Sequence, residues 1–170
     1  MADNSHPVSA RDGQDQVAVG NAAVPPLNDA PARLRYRTDA PDDGPLVGLA
    51  DFLANSNAAA VRLDPADDAR ALLPHLSRLR LVEVSFPRFR DGRGYSSARI
   101  LREHGYKAEL RAAGDINEDQ ILFLRRIGFD SFAPDRTLDA AVIERTLARY
   151  PHVYMKSSDG LKPAWSQRHG

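Results

Sequence analysis

Apolar positions along this chain alternate between short continuous runs and helical stripes. Leu81-Val82-Glu83-Val84-Ser85-Phe86 is a compact run with β-branched and aromatic residues, the composition of a buried strand. Pro87 lacks an amide hydrogen and ends it. Ala59 to Leu63, Glu109 to Ala113 and Asp130 to Ala133 read as further strands. Leu34 to Arg37 reads as a short exposed strand, and Val153 with Tyr154 as an edge strand.

The intervening stripes predict helices. Leu46, Leu49, Phe52 and Leu53 share one helical face. Leu72, Leu73 and Leu76 form a second, opened by Asp64 as N-cap before Pro65, with Pro74 placed to kink or split it. A third runs from about Ser96 to Glu103, with Ser96 or Ser97 as its cap. A fourth, capped by Asn117, carries Ile121, Leu122, Leu124 and Ile127 and stops at Gly128. A fifth carries Leu138, Ala141, Val142, Ile143 and Leu147 and runs to about Tyr150.

Strands alternating with helices across short loops predict an α/β fold, a mostly parallel sheet of about four to five strands built from βα units. Open sheet and partial barrel both satisfy the pattern, since 170 residues fall short of the roughly 250 of a full β/α barrel. Residues 1–30, rich in Ala, Asp, Asn and Pro, predict a disordered N-terminal tail. Residues 31–157 form the single domain and 158–170 a flexible C-terminal tail. In either architecture the C-terminal strand edge, where ligands usually bind, gathers Asp64, the loop Arg88 to Tyr95, Gly114-Asp115 and Pro134-Asp135.

Composition narrows the function classes. Acidic and basic residues balance at 23 each, so no global field draws the chain to nucleic acid or an anionic membrane. The absence of cysteine excludes a cysteine-ligated iron–sulfur cluster, a thiol nucleophile and a disulfide framework. The five histidines show no helical ligand spacing, so no metal site is expected. No apolar run approaches a membrane span and the N-terminus lacks the regions of a secretory signal, so a cytoplasmic location is expected. An open parallel sheet leaves an edge exposed, which predicts self-association.

The chemistry concentrates after the strand ending at Phe86. Arg88, Arg90 and Arg93 are interleaved with Gly92 and Gly94, glycines able to take positive φ and turn backbone amides outward beside a helix start. This loop is the candidate anion-binding element, comprising Arg88, Arg90, Gly92, Arg93, Gly94, Tyr95 and Ser96. Arg93, between two glycines, is its foremost residue, suited to bidentate contact with an oxyanion. The plainer alternative is a strand-to-helix turn whose arginines are solvated or paired with Asp91. Gly92-x-Gly94-x-x-Ser97 lacks the third glycine of a dinucleotide fingerprint, so a nicotinamide site is not expected. Asp115 is a candidate base or a partner for Arg93, with a turn or cap as the ordinary role; Tyr95 is a candidate donor or a packing ring. Arg111 interrupts an apolar strand. It is either paired with a carboxylate such as Glu83 or Asp115, or turned towards a site.

Two ordered runs resemble a bacterial domain-of-unknown-function family, number 934. One is Phe86-Pro87-x-Phe89-x-Asp91-Gly92-Arg93-Gly94-Tyr95-Ser96-x-Ala98-Arg99. The other is Gly105-Tyr106-x-x-Glu109-Leu110-Arg111-Ala112-x-Gly114-Asp115, followed by Asp119-Gln120 and Arg126-x-Gly128-Phe129-Asp130-x-Phe132. The likeness covers roughly residues 46 to 133; the first helix and strand, with Asn55-Ser56-Asn57, depart from it.

The resemblance implies a context. Genes of this family commonly stand beside those for the haem-containing sulfite reductase in sulfate-assimilation clusters, and some members have been labelled oxidoreductases without a demonstrated reaction. The expectation is therefore an accessory protein of assimilatory sulfite reduction acting with the reductase. One alternative is a small β/α module or enzyme holding a sulfite-, sulfate- or phosphate-bearing ligand. Another is an oxidoreductase, which without cysteines or a fingerprint would need a bound cofactor of unknown identity. Whether the chain is an enzyme is left open by the sequence.

Overall fold

Five parallel strands stand side by side in the order in which the chain makes them. The structure, a computed structural model, describes residues 34–42, 44–54, 56–149, 153–158 and 162–167. The expected N-terminal tail and the end of the fifth helix lie outside the described residues. β1 (Leu34–Arg35), β2 (Leu46–Gly48), β3 (Ala60–Leu63), β4 (Leu81–Phe86), β5 (Glu109–Gly114) and β6 (Ser131–Pro134) form one six-stranded sheet of order β1-β6-β5-β4-β3-β2. Only β1 is antiparallel, pairing with β6. The fold is thus the α/β architecture expected, an open sheet with one or two more strands.

Consecutive order combined with right-handed crossovers sends every connecting helix to the same face of the sheet. The core obeys this: alternate strand residues Val61, Leu63, Val82, Val84, Phe86, Leu110, Ala112 and Phe132 pack with Phe52, Leu72, Leu101, Ile121, Leu124 and Ile143. The helices are α1 (Leu49–Leu53), α2 (Arg93–Glu103), α3 (Gln120–Ile127) and α4 (Ala140–Ala148).

Several sequence expectations shift at element ends. Leu46 belongs to a strand rather than the first helix: it pairs in parallel with Ala60, and the helix begins only at Leu49. Asp64 does not cap a helix. Its N–H donates to Asp67 Oδ2 at 2.8 Å, closing a turn, and a 3-10 segment, Ala69–His75, follows with Asp68 as its cap. Pro74 lies inside that segment, where its missing N–H disfavours a regular α-helix. Asn117 does not cap α3 either; its N–H donates to Gln120 Oε1 at 2.9 Å, and Asp119 stands at the helix start. Val153 is not part of the sheet but makes an isolated bridge to Pro163. Part of the segment expected to trail beyond residue 157 folds back: Ala164 N–H donates to Val153 O at 2.7 Å.

Candidate functional site

Phe89 stands at the C-terminal edge of β4, and its backbone is held from both sides. Its N–H donates to Asp115 Oδ2 at 3.0 Å, and its carbonyl accepts from Gln120 Nε2 at 2.9 Å. Asp115 is itself positioned by its own N–H, which donates to Phe86 O at 2.7 Å, so the ends of β4 and β5 are tied together just below the loop. A turn closed by Asp91 N–H to Arg88 O at 2.9 Å completes the constraint. The result is a fixed backbone presenting exposed side chains: Arg88, Phe89 and Arg90 all face solvent, Phe89 at 43 %.

The glycines act differently from the expectation of an amide cradle. Gly92 has φ −76°, an ordinary value, and Gly94 lies within the first turn of α2. Gly94 is required by packing, because a Cβ there would sit 2.5 Å from the Phe86 ring. Gly114 has φ 111°, and a Cβ there would lie 2.4 Å from Phe86 O, so this glycine lets β5 turn beneath the loop. Helix α2 begins at Arg93, three residues before the expected cap at Ser96; Ser96 and Ser97 are helical, and Ser97 Oγ bonds back to Arg93 O.

Arg93 is folded onto its neighbour. Its Nε and Nη2 donate to Asp91 at 2.9 and 2.6 Å, and its N–H to Asp91 Oδ1 at 3.2 Å. Asp91 thereby supplies the negative charge that the helix N-terminus favours. The Arg93 hydrogen bonds hold the Asp91 carboxyl down at about 2. This is the pairing with Asp91 that the plainer sequence reading describes, and it leaves Asp115 to the Phe89 amide rather than to Arg93. Arg88 and Arg90 have no carboxylate partner among the described residues; Arg90 lies 5.2 Å from the Phe89 ring centroid.

Tyr95 packs edge-on against Phe86, ring centroids 5.8 Å apart, and its hydroxyl accepts a long bond from Gln120 Nε2 at 3.4 Å. Burial raises its phenol, which stays neutral. Gln120 is the residue that sequence reasoning passed over as a site component, although it stands in the second family-like run. One amide joins the loop, α2 and α3.

Across the sheet, on the face opposite the helices, lies a different polar arrangement. Strand register sets Arg62, Glu83, Arg111 and Ser131 in one row across β3, β4, β5 and β6. Arg111, 2 % exposed, donates from Nη2 to Glu109 Oε1 at 3.0 Å and from Nη1 to Glu83 Oε2 at 3.5 Å. Glu109 also accepts from Ser131 Oγ at 2.7 Å and Arg35 Nε at 2.9 Å. Burial alone would raise Glu109, but those bonds and the Arg111 charge outweigh it and hold the carboxyl below its usual range. Arg111 Nε has no hydrogen-bond partner. Arg111 is therefore in a buried ion cluster with Glu83, as one sequence alternative held; its closer partner is Glu109, and Asp115 takes no part.

Asp135 is exposed and its side chain has no hydrogen-bond or ion-pair partner among the described residues, its N–H donating to Gly114 O at 2.9 Å, whereas two other carboxylates of this region have structural partners. Asp64 sits 3.4 Å from Arg62 Nε. Glu118 receives Arg136 Nη2 at 2.7 Å and the Asp139 N–H at 3.1 Å, bonds that hold it at about 2. Among the described residues no group of three or more His, Cys, Asp or Glu side chains is placed to hold a metal ion. No described helix is long and apolar enough to cross a membrane.

A family model described as "Bacterial protein of unknown function (DUF934)" matches residues 60–165, more than half of the chain. The match begins at β3, leaving out the divergent first helix, and extends past the two family-like runs into the segment that folds back at Val153 and Pro163. No curated protein and no solved structure matches the chain.

Proposed function

Because the chain belongs to the bacterial family of unknown function DUF934, we propose that it serves assimilatory sulfite reduction as an accessory protein that docks on the sulfite reductase haemoprotein. The pathway comes from the genomic context that the family resemblance implies. The docking role rests on one observation: the family-like runs build a loop whose backbone is pinned at Phe89 by Asp115 and Gln120 while its aromatic and cationic side chains point outward. A reactive centre needs polar groups left available to a substrate, whereas here Asp91, Arg93 and Asp115 are engaged with the protein itself. A fixed exposed aromatic flanked by guanidiniums suits protein recognition, since Phe and Arg are enriched where interfaces form.

Co-purification of the tagged chain with the reductase tests this, together with growth of a deletion strain on sulfate, sulfite or sulfide. Association and growth on sulfate and sulfite are expected to fall for Phe89→Ala combined with Arg88→Ala, with growth on sulfide retained. No association, and normal growth of the deletion strain on every source, would overturn the reading.

A second reading has its own support: the Arg88 and Arg90 guanidiniums, without carboxylate partners, stand just before α2. They would hold a sulfite-, sulfate- or phosphate-bearing ligand by charge-assisted hydrogen bonds. Calorimetric titration with these anions decides it, as saturable heat that disappears in the Arg88→Ala, Arg90→Ala double variant is required.

A further inference from the structure

A cavity of about 560 Å³ opens at the N-terminal edge of the sheet, the edge opposite the Arg88 to Tyr95 loop. Tyr106 and Lys107, which lead into β5, line it together with Arg125 near the end of α3 and Tyr36, which directly follows β1. Tyr36 is a fixed platform. Its N–H donates to Asp130 O at 2.8 Å, and its ring meets Phe132 edge-on with centroids 6.0 Å apart.

Arg125 stands on that platform. Its guanidinium carbon lies over the Tyr36 ring, 4.0 Å from the centroid, and the side chain has no hydrogen bond or ion pair among the described residues. The ring fixes the cation through its face, so a half-buried guanidinium is held in place while its fork of N–H donors lacks an acceptor. Lys107 lines the same cavity, is exposed, and likewise has no side-chain partner among the described residues.

The other charges of the lining are engaged. Arg102 donates from Nη2 to Asp130 Oδ2 at 2.6 Å, and its remaining donors go to the carbonyls of Gly128, Tyr106 and Ala108. Asp130 also accepts from Arg37 Nη1 and from the Leu110 N–H, both at 3.1 Å, so this carboxylate is compensated without Arg125 or Lys107. Arg126 Nη2 donates to Met155 O at 2.8 Å. The charge left over is therefore that of Arg125 and Lys107, two cations on one cavity.

The remaining lining is apolar, from Leu122, Leu147, Val153 and Phe129. The volume falls within the roughly 300–1,000 Å³ of small-molecule sites. A bare inorganic ion would leave most of it unfilled, whereas a planar oxyanion matches the guanidinium fork and an attached apolar body matches the aliphatic wall.

We propose that this cavity binds a small organic oxyanion, its charged head on Arg125 and Lys107 and its apolar body against Leu122, Leu147 and Val153. The site is separate from the docking loop and from the Arg88 and Arg90 guanidiniums, so it neither needs nor excludes either reading above.

The test titrates the full chain with phenylbutyrate and with phenyl phosphate, followed by amide NMR spectra. Saturable shifts are expected at Lys107, Arg125 and Val153 with at least one of the two anions, and the tighter one identifies the head group as carboxylate or phosphate. Affinity is expected to fall about ten-fold in Arg125→Gln, the loss of one charge-assisted contact, and to fall in Lys107→Gln. Phenylbutanol, which keeps the apolar body without the charge, and inorganic sulfate, which keeps a charge without the body, are each expected to bind about ten-fold more weakly or worse. Lys107 is exposed and Arg125 half-buried, so both variants are expected to fold, and circular dichroism checks them. Three results would overturn the proposal: no saturable shift with either anion, affinity unchanged in both variants, or phenylbutanol binding as tightly as the anions. Shifts confined to the amides of Arg88 to Ser96 would also overturn it, by moving the anion to the loop at the other edge.

Discussion

The Asp115 carboxylate accepts the backbone N–H of Phe89 at 3.0 Å, and through that bond a residue at the end of one strand sets the loop that follows its neighbour. The contact spans 26 positions in the chain. It depends on β4 and β5 being adjacent and in register, Phe86 opposite Gly114.

Replacing Asp115 should therefore loosen the loop without unfolding the domain. Asp115→Ala is expected to cost about 1 kcal/mol, the lower range for a hydrogen bond of this kind at a partly exposed site. Amide hydrogen exchange at Phe89 should accelerate, while amides of β4 and β5 keep their protection. Unchanged exchange at Phe89 would refute the pinning role.

The two glycines flanking Arg93 should respond differently to alanine. Gly94→Ala forces a methyl into the Phe86 ring, 2.5 Å away, and is expected to destabilise by about 1–3 kcal/mol, as overpacking does. Gly92→Ala meets nothing within 4 Å and has a permitted φ, so its stability should stay close to wild type. Urea denaturation of both variants distinguishes a packing glycine from one whose only requirement is a turn.

Arg111 should be the most costly charge to delete. Arg111→Ala removes the guanidinium shared by the buried Glu83 and Glu109; Arg35 still reaches Glu109 at 2.9 Å and Arg62 stands 3.7 Å from Glu83, so a loss of about 3 kcal/mol, the lower end for breaking such pairs, is expected. Removing the carboxylates as well, in Glu83→Gln with Glu109→Gln, should recover part of that loss. A double-mutant cycle by denaturant titration measures the coupling.

Acidification has a defined signature. The Glu118 carboxyl, bonded by Arg136, and Asp91, bonded by Arg93, are both held at about 2, below their ordinary values of 4.5 and 3.8. Lowered carboxyls stabilise the fold above those ordinary values, and the contribution is lost as pH falls towards 2. In Arg136→Ala the Glu118 carboxyl should titrate higher, towards its ordinary value, and its share of the acid loss should shrink. A carbon-detected NMR titration of the side-chain carboxyl reads this directly; a midpoint unchanged from wild type would contradict the assignment.

Local patterning determined much of this protein. The Leu81 to Phe86 run makes a strand in any setting, because its apolar and β-branched side chains suit only a buried extended segment and Pro87 stops it. The helical stripes of α2, α3 and α4 are visible for the same reason, and the pairing of Arg93 with Asp91 is available in the sequence because only Gly92 separates them. Element ends were less legible. Leu46 fits a helical face, yet the edge of β3 offers it backbone hydrogen bonds; Asn117 and the serines of α2 are good caps by type, yet side chains elsewhere fixed those turns first.

What only the tertiary structure decided follows from register and topology. Whether Arg111 faces a site or a carboxylate depends on Glu109 two positions earlier on its own strand, on Glu83 opposite it, and on Arg35 and Ser131 completing the cluster. The strand sequence, with its two-residue period, allows the partners but does not set them, because register is chosen by the whole sheet. The reason for Gly94 likewise lies in the Phe86 ring, eight residues away and on a different element. Sequential strand order placed all the connecting helices on one face, and so separated an apolar core from a buried row of charges. The placement of Arg125 over Tyr36 came last, since it depends on how α3 packs and on β1 pairing antiparallel with β6, a long-range arrangement that no local pattern encodes.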